Sequence, residues 1–200
     1  MANALIDNSE RFKLVKYIKE LVSRLDCNHI MIATGYWDLP GTALVYEELK
    51  DFFVRGGKLD LLIGQEPQLQ YYQASQEVRQ FPDFYIQRDV ESLSDEYKPI
   101  GKLIIDNALT EENPRGKFEI RVYGQGEHKE FLHAKCYIFL GNNHTLATGI
   151  VGSSNFTLKG LQGNAELNYL EENGNSVAAP YTEYSTSKSH KAWFEELWQN

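Results

Sequence analysis

Between residues 9 and 64 the sequence alternates helix and strand signals, and that alternation limits the fold more than any other feature. A helix over Ser9 to Leu25 places Leu14, Ile18, Leu21, Val22 and Leu25 on one face, and Asp7 with Glu10 three residues on resembles a capping box. "HIMIATGYW" then reads as a strand, "TALVYEELKDFFVRGG" as a helix stopped at Gly56-Gly57, and "KLDLLIG" as a buried strand. The links in this α-β-α-β order are short, so the helices must be crossovers between strands of one sheet, and the fold class is α/β. With 200 residues and 42% hydrophobic content, the chain can bury one good core, and residues 1–200 are expected to be a single domain.

The second half changes texture. "YYQASQEVRQF" reads as a helix, and another is expected after Pro99. From Gly116 onward strands dominate: "FEIRVYG", "EFLHAKCYIFL", "TLATGIVG" and "AELNYL", with Gly141-Asn142-Asn143 as a hairpin turn between the middle two. "SSNFTLKGL" is expected to be a loop with a short helical turn. The closing helix "HKAWFEELW" puts Trp193, Phe194, Leu197 and Trp198 on one face, which should dock on the body of the domain. The chain stops soon after it, as a domain cut from a longer protein would. Cys27 and Cys136 sit in apolar surroundings and read as small core residues. The start has no basic, apolar leader and no stretch is apolar enough to span a membrane, so a cytoplasmic location without membrane contact is expected.

Within this frame "FLHAKCYIFL", Phe131 to Leu140, is anomalous. Alternation across a strand gives one plain core stripe, Leu132, Ala134, Cys136, Ile138 and Leu140. The other face carries His133 and Lys135 among Phe131, Tyr137 and Phe139. A net charge of −8 argues against a basic nucleic-acid binder. Yet from Asn113 to Gly160 six basic residues stand against three acidic ones, a local +3 that permits a phosphate-bearing ligand.

The chain beyond this strand supplies partners. Gly152 ends the next strand, where a backbone without Cβ lets a ligand come close, and Ser153, Ser154 and Asn155 offer hydroxyl and amide groups suited to phosphate oxygens. Glu166 then appears between Ala165 and Leu167, in a stretch that reads as an apolar strand, where a carboxylate needs a partner. A neutral imidazole can attack phosphorus, a carboxylate on its other nitrogen would fix the tautomer, and Lys, Asn and Ser can bind the oxygens as charge builds. None of these roles requires a metal or another cofactor.

These residues resemble a family. "HAK…GSSN…E" is similar to the phospholipase D superfamily signature, H-x-K followed by G-S-x-N and a downstream Glu. "GKFEIRVYGQ", "GSSNFTLKGLQGNAELN" and "WFEELW" resemble a branch found as an N-terminal domain on bacterial SNF2-type helicases and in restriction-type nucleases. The resemblance covers most of the chain, most densely Gly116 to Leu170. It implies a mixed central β-sheet flanked by helices, with one motif per chain. It also implies His133 as nucleophile, Lys135 and Asn155 on phosphate oxygens, Glu166 holding His133, and Ser153, Gly152 and Ser154 supporting the substrate. His29, His128, His144 and His190 have no Lys two residues later, so the H-x-K occurs once. The family's site uses two, which implies a homodimer with both His133 side chains at a shared site, and the His133 face buried between subunits. DNA is the implied substrate, a C-terminal helicase the implied attached domain, and ATP a cofactor only if that domain is present. Two departures stand out. Leu140 occupies the place of the usual Asp five residues after the Lys, and the gap from Lys135 to Gly152 is long.

Blander readings compete. A His and a Lys in a strand ordinarily mark a solvated edge, and only the downstream motif reverses that preference. Glu166 has Arg121 and Lys159 as alternative, structural partners. His128 and His144 read as loop and hairpin residues. Tyr36, Trp37 and Tyr123 could stack on bases or line the cleft, but aromatics at strand ends more often pack, and they read as core or rim. In function, a metal-independent DNA phosphodiesterase leads. A catalytically weak DNA-binding module of a helicase comes second, and a lipid phosphodiesterase last.

Overall fold

The computed structural model of the chain describes residues 3–64, 95–123, 131–142 and 145–199. The helix expected over "YYQASQEVRQF", together with His128, Asn143 and His144, lies outside these residues. Seven strands, β1 (Ala4–Ile6), β2 (His29–Thr34), β3 (Lys58–Ile63), β4 (Phe118–Val122), β5 (Lys135–Leu140), β6 (Ala147–Gly152) and β7 (Asn168–Glu171), form one sheet in the order β1-β7-β6-β5-β2-β3-β4. Strands β2, β3 and β4 are parallel, and every pairing from β2 through β5, β6 and β7 to β1 is antiparallel. The sheet is therefore mixed, and the α-β-α-β run supplies β2 and β3 of its parallel half.

Helices cover both faces. On one side α1 (Leu14–Ser23), α2 (Leu39–Ala43), α3 (Tyr46–Val54) and α4 (Lys98–Asn107) enclose the larger core, which includes Ile18, Leu21, Phe52, Ile104, Ile32, Tyr137 and Phe139. On the other, α5 (Gly174–Ala178) and α6 (His190–Gln199) cover Met31, Ala33, Leu62, Cys136, Ile138 and Leu140, with Phe194 of α6 fully buried among them. The closing helix docks as its apolar face requires. Both cysteines are buried and free, and burial pushes their thiols up to about 12. Among the described residues no helix is long and apolar enough to cross a membrane.

Several boundaries differ from the sequence reading, each for a local reason. Helix α1 begins at Leu14 because Asp7 accepts from the Ser9 N–H, closing an Asx turn, and Asn8 at φ 59° accepts from the Leu14 N–H at 2.8 Å. The single helix expected over "TALVYEELKDFFVRGG" is two, broken at Leu44-Val45, and Gly56 (φ 92°) follows the second near its C-terminus. Helix α4 starts at Lys98 with Pro99 inside its first turn, where a missing N–H costs nothing. β1 and α5 escape the periodicity argument because three and five residues are too few to show a period.

Candidate active site

The pairing registers gather the site at one end of the sheet. Thr34, last residue of β2, pairs with Lys135, first residue of β5; Cys136 pairs with Val151 of β6, and Gly152 with Asn168, first residue of β7. Strand ends that lie far apart in sequence therefore share one rim, and the loops leaving it carry His133, Ser153, Asn155 and Glu166.

The expected strand over Phe131 to Leu140 begins only at Lys135, and Phe131 to Ala134 runs as extended loop. His133 and Lys135 thus differ in setting. His133 is exposed, whereas Lys135 is buried and turns its Nζ back onto the His133 carbonyl at 2.7 Å. Burial lowers the Lys135 pKa, and the nearby Glu166 carboxylate opposes that shift. Tyr137 and Phe139, expected to lie with the His on a face between subunits, are fully buried in the chain's own larger core. That expectation is corrected: only Phe131 and His133 of that stripe are exposed, because helices cover the sheet on both sides.

Asn155 is the most firmly placed site residue. Its Oδ1 accepts from the Tyr36 backbone N–H at 3.1 Å and faces the Thr34 hydroxyl at 3.3 Å. That hydroxyl, fully buried, accepts from the Phe156 N–H at 3.0 Å and lies 2.8 Å from the Tyr36 carbonyl, to which it can donate. Asp38 adds a third tie, accepting from Gly41 at 2.6 Å and Leu158 at 3.0 Å, while burial raises its pKa. The loop after β6 is so stitched to the chain after β2. With Oδ1 committed, Nδ2 of Asn155 is the amide end that has no hydrogen-bond partner among the described residues, and it can only donate. Sequence reasoning missed Thr34 and Asp38, and weighed Tyr36 only for its ring, since nothing local marks residues some 120 positions away as supports for Asn155.

Ser153 donates to a Glu166 carboxylate oxygen and accepts from the Leu167 N–H at 3.0 Å, while Asn164 Nδ2 donates to the other Glu166 oxygen at 3.2 Å. Glu166 is half-buried in the loop before β7 rather than inside an apolar strand. Its partners are these polar side chains, and among the described residues no hydrogen bond joins it to His133 and no ion pair to Arg121 or Lys159. Arg121 is engaged elsewhere, by Glu119 at 2.7 Å, by the Trp198 carbonyl at 2.7 Å, and over the Trp198 ring at 4.4 Å.

Two residues expected to support the substrate make scaffold contacts within the chain. Ser154 is fully buried: its hydroxyl accepts from Asn168 Nδ2 at 2.9 Å, its N–H donates to Asn168 Oδ1 at 3.2 Å, and its carbonyl accepts from Tyr137 at 2.8 Å. At Gly152, which is exposed, a Cβ would run into Asn168 Oδ1 and the Leu167 carbonyl, so its missing side chain admits the close approach of β7. Trp37 is core, donating to the Thr42 hydroxyl at 2.7 Å. Leu140 lies at the far end of β5, five residues from Lys135 and so about 17 Å away at the strand rise. It is buried against α6's side of the sheet, and its identity does not bear directly on the site.

The family model described as "Cardiolipin synthase, PLD-like domain" matches residues 21–198. Among solved structures, NucT from Helicobacter pylori is similar over 98% of this chain and 95% of its own, with 12% identity and a TM-score of 0.56. Nuc from Salmonella typhimurium, a phospholipase D family member, is similar over 99% and 94%, with 12% identity and a TM-score of 0.53. A polyphosphate kinase from Porphyromonas gingivalis reaches 0.50 at 12% identity, over 86% of this chain but 24% of its own. At such identities these likenesses establish the fold. Comparison with curated proteins gave no match.

Proposed function

This chain belongs to the phospholipase D-like family, and from that premise we propose that it is a phosphodiesterase cleaving DNA through a phosphohistidine formed on His133. The observation that carries the reading is the fixed polarity of Asn155: Thr34 and the Tyr36 N–H hold its oxygen, so its amide nitrogen is the end left to donate, on the rim that also carries Lys135 and His133. A donor fixed beforehand is worth more than one that must reorient while charge builds on phosphorus.

In this reading a neutral His133 nitrogen attacks phosphorus, and the P–O bond to the leaving strand breaks. Lys135 and Asn155 bind the non-bridging oxygens, and Ser153 and Glu166 support those two residues, the carboxylate favouring the cationic form of Lys135. The leaving oxygen takes its proton from the imidazolium of a second His133. The resulting neutral imidazole then accepts a proton from water as that water attacks phosphorus, the P–N bond breaks, and His133 is regenerated. One motif per chain requires that second His133 to come from a partner copy, so the active form is a homodimer. No resident metal enters these steps. We place the domain in a restriction or helicase-associated protein, where an attached part, using ATP if it is a helicase, supplies the grip on DNA that a chain of net charge −8 lacks.

DNA cleavage in excess EDTA, abolished in His133→Ala, is the expected result. Undiminished cleavage by that variant would sink the mechanism, and salt-dependent binding without turnover would favour the helicase DNA-binding module instead.

A further inference from the structure

Two exposed aromatic rings stand beside the site with no part in the phosphoryl chemistry. Tyr36 is 42% exposed and Phe131 44% exposed, and their ring centroids lie 5.5 Å apart at 47°. The Phe131 ring is in turn 5.9 Å from the His133 ring. Apart from this Phe131–His133 contact, no other ring contact among the described residues joins two exposed aromatic side chains. An exposed pair held together keeps apolar area in water, which calls for a use.

The pair is also built into the phosphate-binding framework. The backbone N–H of Tyr36 holds Asn155, and Phe131 lies two residues before His133, whose carbonyl takes the Lys135 ammonium. Gly35 brings the two segments together: a Cβ there would lie 3.2 Å from the Leu132 carbonyl, 3.3 Å from Asn155 Oδ1 and 3.5 Å from the Phe131 ring. Gly64, just past the end of the neighbouring strand β3, leaves room for the same Leu132 carbonyl. The chain segments that carry the rings, the nucleophile and the phosphate donors are therefore packed against one another.

We propose that Tyr36 and Phe131 form a stacking platform for the nucleobase next to the scissile phosphate, so that the substrate is a nucleic acid strand unpaired at the cleaved position. This rests on the nuclease reading for its substrate and adds what that reading lacks, the choice between paired and unpaired strands. A base and its phosphate are joined through a single sugar, which suits a ring two residues along the chain from His133. Bases in a duplex already stack on their neighbours and cannot turn a face to the rings, whereas an unpaired base can, whatever its identity.

The test is binding of a short fluorescein-labelled single strand of DNA, compared with an abasic strand of the same length. Fluorescence anisotropy is read in the His133→Ala background, which removes turnover. The base-bearing strand should bind more tightly, and Phe131→Leu should cut that preference about fivefold to a hundredfold, the range for one stacked base. Phe131→Tyr should keep it, Tyr36→Leu should reproduce the loss, and adding the complementary strand should remove the ring-dependent part. Equal losses on base-bearing and abasic strands would overturn the platform, and so would no loss on either. Equal losses together with dissociation into monomers would assign the rings to a subunit interface. Because the readout is binding, a parent chain that turns over no DNA overturns the nuclease reading while base-dependent binding leaves the platform standing.

Discussion

Lys135 must hold a proton in a place that makes holding it harder. Burial lowers its pKa below 10.5 in the folded chain, so as pH rises through that lowered value the ammonium is lost, and with it the phosphate contact that the proposed mechanism assigns to Lys135. The rate of phosphodiester cleavage should therefore fall on the alkaline side earlier than an ordinary lysine would dictate, as a profile of kcat/KM against pH would read. Stability should move the other way. Between the lowered pKa and 10.5 the unfolded chain binds more protons than the folded one, so folding gains as pH rises across that window. At Asn155, substitution by Asp keeps the acceptor that Tyr36 and Thr34 hold but replaces the donor nitrogen with a negative oxygen. A loss of about 10²–10³ in kcat is expected, with little change in a denaturant midpoint. Thr34→Val, nearly isosteric, should instead cost about 1–3 kcal/mol in denaturant unfolding, because the buried Phe156 N–H loses its acceptor. The chemistry-bearing side chains are legible in the sequence because their types are rare in such apolar company. Their supports are not: Thr34 in "HIMIATGYW" looks like any strand residue until the register sets it opposite Lys135.

At the scale of elements, the rim depends on close backbone approaches that a hydrophobic pattern does not encode. A Cβ at Gly152 would press on Asn168 and Leu167, so Gly152→Ala should push β7 away from β6 and loosen the Ser153–Glu166 pair. About 1–3 kcal/mol of stability should be lost in denaturant titration, together with activity. Helix α6 offers a contrast: Phe194→Ala should cost about 3–5 kcal/mol through the cavity left in the second core. The strands of "KLDLLIG" and "TLATGIVG" are readable because each is an apolar run bounded by glycine. In "FLHAKCYIFL" the strand signal runs four residues beyond the ladder, because alternation persists in side-chain direction after the hydrogen bonds have ended: Leu132 and Ala134 still pack with Cys136 and Ile138.

For the whole molecule, charge and assembly decide more than any single bond. If the site is completed by a second copy, specific activity should fall on dilution, in step with a shift from dimer to monomer in sedimentation. A mass that stays monomeric at full activity would remove the second His133 from the mechanism. His190, at the start of α6, offers a global readout of pH. Burial against Gly149 of β6 lowers its pKa below 6.5 despite the Glu171 carboxylate 3.9 Å away. The folded chain therefore resists protonation where the unfolded chain accepts it, and stability should drop as pH falls through 6.5 towards that lowered value. Urea midpoints at successive pH values should show the slope, and His190→Gln should flatten it.

The two strands of the β5–β6 hairpin leave the rim and return to it, so Gly141 and Leu146, joined by a backbone hydrogen bond, lie at the opposite end of the sheet from Lys135 and Gly152. Residues added in matched pairs, one per strand, lengthen the hairpin away from the chemistry and leave every side chain on its original face. The distance along the chain between the two halves of the motif is thus free to drift over evolutionary time. A pattern written with a fixed gap would discard molecules whose rim is intact, whereas one anchored on the facing pair Thr34 and Lys135 would retain them.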